Sequence, residues 1–153
     1  MPQKRLATTL LPALLCAGLA APSLASDDSL QDAIDYRTGV MNVLSWNLGP
    51  MGAMLKDEIP YDQAAFARHA RDLASAAALD VMSGFPDDSV SDDSSAMSEI
   101  WLDWDDFAAK YQDLKEQSAK LAEVAAGDDK AAVAAQFDAT RKTCKACHKQ
   151  YKE

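Results

Sequence analysis

The sequence predicts an all-α protein with four long helices, and two observations lead to this fold class. Apolar residues recur at spacings of three and four along most of the chain, which is the period of an α-helix. Segments that contain glycine or proline divide the chain into four such stretches. No stretch has a convincing pattern of strand-forming residues.

The first 25 residues have the pattern of a secretory signal peptide. A basic start at Lys4 and Arg5 precedes an apolar run, which ends in a small-x-small tripeptide at residues 23–25. The run is too short, and too interrupted by proline and glycine, for a membrane span. We therefore expect cleavage after Ala25, export of the protein, and one mature domain of residues 26–153.

The mature chain is strongly acidic. The whole chain has a formal net charge of −9. The expected signal peptide holds two of the 15 basic residues and none of the 24 acidic ones, so the mature charge is 13 − 24 = −11. Because nucleic acid and anionic membranes would repel such a chain, we exclude both as partners. The charge fits docking onto a basic partner protein, and equally fits a simple role in solubility.

The first helix is predicted over residues 29–57. Together with Arg37, its apolar residues form an unbroken progression of three- and four-residue steps: Ile34, Met41, Leu44, Leu48, Met51 and Leu55. Gly49-Pro50 falls inside this segment. Because proline lacks a backbone N–H group and clashes with the preceding turn, we expect a kink or a short break there.

The second helix is predicted over residues 63–83, with Asp62 as its N-cap. Its inner face carries Phe66, Ala70, Leu73 and Ala77. A Gly-Phe-Pro tripeptide at residues 84–86 ends this helix. Residues 87–95 are mostly serine and aspartate and predict an exposed loop.

The third helix is predicted over residues 96–126, with Gly127 as its stop. It supplies the aromatic wall of the core through Met97, Ile100, Trp101, Trp104, Phe107, Tyr111, Leu114 and Leu121. Asp128 is the predicted cap of a fourth helix, which runs to about Tyr151.

The fourth helix contains Cys144-Lys145-Ala146-Cys147-His148, a C-x-x-C-H motif that is typical of covalent c-type haem attachment. Two thiols can reach the two vinyl groups of a porphyrin while the adjacent imidazole coordinates the iron. The alternatives are a thioredoxin-type redox pair, half of a zinc site and a chance match. The first normally accompanies a βαβ pattern and the second needs another pair of ligands, and the sequence shows neither.

The motif is predicted to face the core of the bundle. It shares one helical stripe with apolar and aromatic residues: Val133, Phe137, Thr140, Cys144, Cys147, His148 and Tyr151. The haem must then lie among the helices, bound through Cys144 and Cys147, with His148 as the proximal iron ligand. We expect one haem c, since no other cysteine or histidine of the mature chain makes a second site.

The whole mature chain resembles the class II c-type cytochromes, the cytochrome c′ family. The most specific likeness is the haem motif at the extreme C-terminus, followed by Tyr151 and Lys152. Supporting likenesses are Tyr36-Arg37, Ile-Pro-Tyr-Asp at residues 59–62 and Glu-Ile-Trp at 99–101. The resemblance implies an antiparallel up-down-up-down four-helix bundle with the haem buried in its core, a periplasmic location and a homodimer through the first two helices.

The resemblance also implies one of two functions, which depend on the residue that covers the iron face opposite the histidine. Most members have an apolar residue there and bind nitric oxide or carbon monoxide at five-coordinate iron, whereas a minority have methionine and are six-coordinate electron carriers. Counted four residues from the arginine of the first helix, Arg37, this position is Met41. We therefore expect His148/Met41 ligation, iron that cycles between Fe(III) and Fe(II), and redox partner proteins.

Several alternatives remain open. Met41 can crowd the iron without binding it, which gives a gas trap or sensor, or it can merely fill a gap in the core. Arg37 on an inner stripe predicts a haem propionate as its partner, and a surface ion pair with Asp32 is the alternative. His69 is expected at the surface rather than at the iron. No acid–base pair can be placed near the iron, so we expect no enzymatic activity.

Overall fold

The computed structural model describes residues 27–87, 89–91 and 94–153. The predicted signal peptide and its cleavage site at Ala25 lie outside the described residues. Among the described residues, no helix has the length and apolar character needed to cross a membrane.

The described residues contain four long α-helices and one short one. In chain order they are α1 (Asp27–Leu55), α2 (Gln63–Ala77), α3 (Glu99–Leu102), α4 (Trp104–Val124) and α5 (Lys130–Tyr151). A 3-10 turn, Val81–Gly84, follows α2. The only β-type pairing within the described ranges is an isolated bridge between Ala96 and Lys152. The prediction of an all-α protein is confirmed.

The four long helices make an antiparallel bundle, as predicted. α1 packs on α2, α2 on α4 and α4 on α5. The start of α5 lies beside the end of α1, where Lys130 Nζ is 3.7 Å from Asp57 Oδ1. The start of α2 lies beside the end of α4, where the Gln63 side-chain amide donates to the Ala125 carbonyl at 2.7 Å.

α1 runs unbroken through Pro50, so of the two predicted outcomes the short break is wrong, and the kink stays a prediction. Proline removes the hydrogen bond to the carbonyl of Trp46, four residues earlier. Trp46 is 76% exposed, and water at this face can replace the missing donor. The helix therefore continues to Leu55 without that bond.

The buried face of α1 is shifted from the predicted stripe. Val40, Asn47 and Met54 are buried beside Ile34, Leu44 and Met51. The predicted core residues Met41, Leu48 and Leu55 are only half-buried at the edge of this face. Each of these half-buried residues directly follows a buried one in the sequence. Since successive residues of a helix lie about 100° apart around its axis, the buried and the half-buried residues form two neighbouring stripes. Met41 thus faces the margin of the core rather than its centre.

Two helix ends differ from the prediction. α2 stops at Ala77, six residues before the expected end, and only the short 3-10 turn follows. Asp62 caps α2 as predicted, accepting from the Ala65 N–H at 2.9 Å. Asp129 rather than Asp128 caps α5, and its carboxylate accepts from two N–H groups of the first helical turn, each at 3.0 Å.

The predicted third helix is broken near its start. Asp103, with φ −131° and ψ 45°, separates α3 from α4. The residues before α3 pair with the end of α5 instead of forming a helix: the Met97 N–H donates to the Tyr151 carbonyl at 3.0 Å, and the Glu153 N–H donates to the Ser95 carbonyl at 3.1 Å. This pairing holds the chain extended where a helix was expected.

Aromatic residues fill the centre of the bundle, but one aromatic residue predicted to lie in the core is exposed. Phe107 and Tyr111 are buried as predicted, whereas Trp104 is 37% exposed and lies at the surface. The Phe107 ring packs edge-on against Phe85 and Tyr151, at centroid distances of 4.9 and 5.3 Å. These contacts join the loop after α2, α4 and the end of α5 into one core.

α1 and α5 meet at one end of the bundle and separate towards the other. A ring carbon of Phe137 lies 3.5 Å from where a Cβ on Gly52 would be, so α5 packs directly on the α1 backbone there. Nearer to Arg37 and His148 a cavity lies between the two helices. The space between them is the candidate site.

Candidate haem-binding site

A cavity of about 410 Å³ lies between the facing parts of α1 and α5. A second cavity of about 170 Å³ adjoins it. Residues from three helices line both of them: Met41, Ser45, Tyr111, Cys147 and His148. The larger volume is in the range of known cofactor sites. The space therefore lies where the sequence places the haem.

Cys144 and Cys147 are free thiols on consecutive turns of α5. Both are half-buried; Cys144 lines the smaller cavity and Cys147 lines both. Burial raises the pKa of Cys144 and raises that of Cys147 to about 11. Catalytic redox cysteines have a lowered pKa, so this environment argues against a thioredoxin-type pair. Within the described ranges no group of three or more metal-ligating side chains supports a zinc site either.

His148 follows Cys147 on α5 and lines both cavities. Partial burial, and then the charge of Lys152, lower the pKa of its imidazole. A lowered pKa favours the neutral ring, which is the form that can coordinate a metal. His148 therefore lines the cavity in surroundings that favour its neutral form.

Met41 lines both cavities from α1, across the space from α5. In the smaller cavity its neighbours on α1 are Leu44 and Leu48, and Leu114 of α4 also lines this space. The structure therefore brings Met41 and His148 to one cavity from two different helices, although they are 107 positions apart in the sequence.

Arg37 is 3% exposed and lies at the larger cavity. Its guanidinium donates to the Gly84 carbonyl (3.0 Å), the Ser89 hydroxyl (2.8 Å) and carbonyl (2.7 Å), and the Ser94 hydroxyl (2.9 Å). It also lies 4.7 Å from the Phe85 ring centroid. Burial lowers its pKa from the usual 12.5. No ion pair joins it to Asp32, which is exposed.

The partners of Arg37 were missed by sequence reasoning, and the loop that holds them was described incorrectly. Residues 87–95 were expected to be exposed, yet Ser89 is 1% exposed because it packs on the guanidinium. Residues 88, 92 and 93 of this loop lie outside the described residues. A serine within a run of serine and aspartate has no sequence pattern that predicts burial. Only the folded structure shows that Ser89 accepts from the Arg37 guanidinium.

A polar cluster beside the motif was also missed. The Tyr151 hydroxyl donates to Asp106 Oδ2 at 2.6 Å, and Lys110 Nζ lies 3.3 Å from the same oxygen. Lys110 also lines the smaller cavity. Asp106 and Lys110 are four residues apart on one helix, and this spacing could have predicted their ion pair.

His69 lines neither cavity, and its Nδ1 lies 3.0 Å from Asn47 Oδ1.

The donor set at the cavity fits a c-type haem. Two thiols, an imidazole and a thioether line adjoining spaces whose remaining walls are largely apolar. Within the described residues the buried Arg37 cation has only uncharged hydrogen-bond partners, and it lies at the larger cavity, where it can meet an acidic group. Fold and site together define a class: c-type haem proteins built on a four-helix bundle.

Comparison with known proteins identifies the family. The family model Cytochrome C′ matches residues 32–152. Cytochrome c′ of Halomonas halodenitrificans is 35% identical over 128 residues, which cover 80% of this chain and 96% of that protein. The structure of cytochrome c prime from Shewanella frigidimarina matches with a TM-score of 0.80 and 34% identity, covering 84% of this chain and 99% of that one.

A third match is a ferrous variant of cytochrome c prime from Alcaligenes xylosoxidans with bound NO. It has a TM-score of 0.73 and 28% identity, and covers 81% of this chain and 97% of that one. The chain belongs to the cytochrome c′ family, and its cofactor is one covalently attached haem c.

Proposed function

We propose that this protein binds nitric oxide or carbon monoxide at the iron of its haem, with Cys144 and Cys147 as the attachment residues and His148 as the protein ligand. The haem supplies an iron that takes up a diatomic gas and changes between Fe(III) and Fe(II). The residues around it determine which ligands reach that iron.

The observation that carries the proposal is the set of apolar side chains that share the smaller cavity with the haem attachment residues. Met41, Leu44, Leu48 and Leu114 supply it from α1 and α4, while Cys144, Cys147 and His148 line the same space from α5. With the haem held by α5, apolar side chains on the side opposite His148 would favour an uncharged diatomic ligand over a charged one, which would lose its hydration. No carboxylate lines this cavity, so the acid–base pair that peroxide chemistry needs is not at hand among these residues. The nitric oxide complex of the Alcaligenes relative supports the same function.

Electron transfer with Met41 as the sixth ligand, the function that the sequence analysis preferred, is the second candidate. It is supported by the position of Met41, which lines both cavities together with His148. His/Met ligation raises the reduction potential of haem iron and suits an electron carrier. The relatives favour gas binding, and the thioether of Met41 favours the carrier.

Absorption and electron-paramagnetic-resonance spectra of the purified holoprotein separate the two candidates. Gas binding predicts high-spin iron that takes up nitric oxide, with little change of spin state in Met41→Leu. The carrier predicts low-spin iron that becomes high-spin in Met41→Leu. Met82→Leu is the matched control, because Met82 lines neither cavity and should leave both spectra unchanged. A low-spin resting spectrum that requires Met41 would refute the gas-binding proposal.

Arg37 is proposed to hold a haem propionate in addition to its loop. All four N–H bonds of its terminal nitrogens have acceptors among the described residues, so a propionate would meet the Nε–H group or replace one of these acceptors. A charged carboxylate at this cavity would compensate a buried cation whose partners in the described part of the chain are uncharged.

The protein is also proposed to act in the periplasm as a homodimer. The signal-peptide pattern of residues 1–25 supports export. On α1, Trp46 is 76% and Val43 48% exposed, a surface that a second copy can cover. Sedimentation of the holoprotein should give a dimer, and Trp46→Lys should shift it to the monomer. A monomeric parent protein would contradict the proposal.

A further inference from the structure

A groove of about 440 Å³ opens at the surface between the 3-10 turn after α2 and the start of α4. Its apolar lining residues are Met82, Phe85, Pro86, Trp101 and Trp104. The Trp101 indole N–H donates to the carbonyls of Phe85 (3.3 Å) and Pro86 (3.1 Å), which fixes the floor of the groove. Leu102, between the two tryptophans in the sequence, is 84% exposed. This end of the bundle thus presents a firm apolar surface to solvent.

The groove lies next to the haem cavity. Phe85 lines both spaces, so a single side chain separates them. Its ring also packs against Trp101, at a centroid distance of 6.2 Å, and against Phe107 at 4.9 Å. A molecule seated in the groove would lie one aromatic ring away from the cavity.

The groove belongs to the acidic part of the chain. Between Arg71 and Lys110 the sequence has no basic residue and ten acidic ones: Asp72, Asp80, Asp87, Asp88, Asp92, Asp93, Glu99, Asp103, Asp105 and Asp106. The remainder of the chain then has 15 basic and 24 − 10 = 14 acidic residues, so it is nearly neutral. The net charge of the protein is therefore concentrated in the segment that forms the groove.

We propose that this groove, with its acidic surroundings, is the docking surface for a basic protein that carries a one-electron redox centre. An apolar centre with a charged rim is the usual anatomy of a protein interface, and the opposite charge of the partner would steer it to this end. A second copy of this chain would bring the same acidic segment and be repelled, and so would an anionic membrane. In the docked pair, one electron would pass between the partner's centre and the haem iron: the partner's reduced centre would be oxidised as Fe(III) is reduced to Fe(II), or the reverse.

This inference goes beyond the proposed function and does not depend on it. Electron exchange at the groove sets the oxidation state of the iron whether its sixth position takes a gas or Met41. The surface residues of the groove line neither cavity apart from Phe85, so their replacement leaves gas binding intact. The two proposals can therefore fail separately.

The probe for the experiment is mitochondrial cytochrome c, a basic protein with a one-electron haem centre. Its affinity for the mature holoprotein is measured by calorimetry at low and high salt. The double variant Asp87→Lys/Glu99→Lys reverses two exposed charges near the groove, and Glu58→Lys/Glu123→Lys makes the same change of net charge elsewhere. We expect the first variant to bind about tenfold more weakly at low salt, and the second to change by less than about twofold.

Trp104→Ser tests the apolar centre, because Trp104 lines the groove, is 37% exposed and lines neither haem cavity. The variant should keep its nitric oxide affinity, while the probe binds about threefold more weakly at any salt concentration. Stopped-flow electron exchange with the probe should slow in the Asp87/Glu99 variant and lose much of its salt dependence. Equal losses in both charge variants, or an unchanged affinity in Trp104→Ser, would overturn the proposal.

Discussion

Arg37 is a buried cation that holds the loop after α2 against α1. Its partners are backbone carbonyls and hydroxyls of Gly84, Ser89 and Ser94, together with the face of Phe85. The sequence predicted that Arg37 lies on the inner side of α1, because it falls in step with apolar residues. It did not predict the loop partners, because contacts across about fifty residues leave no local pattern.

Replacement of Arg37 should therefore destabilise the protein. In Arg37→Met the acceptors of Gly84 and Ser89 lose their donors while they stay buried, and we expect a loss of about 3 kcal/mol in the free energy of unfolding. Arg71→Met, at an exposed position of α2, should change it by no more than about 0.5 kcal/mol. Denaturant unfolding of the holoproteins measures both, and equal values for the two variants would refute the role of Arg37.

At the scale of elements, the chain from Gly84 to Met97 connects the two walls of the haem cavity. It contacts α1 through Gly84 and pairs with the end of α5 through Ser95 and Met97. This pairing explains why α3 is short and why the predicted third helix begins late. Periodicity describes contacts within a helix, so it predicted α4 and α5 well and could not detect pairing with residues more than fifty positions away.

Gly84 is the tightest point of this connection. A Cβ there would lie 3.0 Å from Tyr36 Cδ1, 3.1 Å from the Arg37 Cβ and 3.3 Å from the Ala33 carbonyl oxygen. Because α1 cannot move away easily, Gly84→Ala should cost about 1–3 kcal/mol of stability. Gly39→Ala is the control: its added Cβ meets no neighbouring side chain or element within 4 Å, it does not precede a proline, and helix propensity predicts a gain of up to about 1 kcal/mol. Thermal unfolding of both variants tests the difference, and a stabilised Gly84→Ala would contradict it.

At the scale of the whole molecule, the bundle is closed where Phe137 meets Gly52 and open where the haem motif lies. The fold class and the attachment motif could be predicted because both are local patterns: a helical period and a five-residue spacing. The cavity itself depends on how far α1 stands from α5. That distance is set by side chains of several helices, so the prediction that Met41 lies near the iron rested on a family likeness.

Removal of the haem should loosen this open end. A protein that loses a large apolar group from its core is left with a cavity, and the surrounding contacts are lost. In Cys144→Ala/Cys147→Ala purified without haem, we expect faster amide exchange in residues 37–48 and 140–151, with little change around Phe137. Uniform exchange along α1 would show instead that the bundle does not depend on the haem at this end.

Cys144 and Cys147 are proposed to hold the haem covalently in an exported protein. The intact mass of the protein under denaturing conditions, after isolation from the periplasm of cells that attach c-type haem, measures this attachment. We predict the mass of residues 26–153 plus one haem, and the polypeptide mass alone for the variant that lacks both cysteines. A haem that stays attached without the cysteines, or that leaves the parent protein on denaturation, would show that these thiols do not hold it.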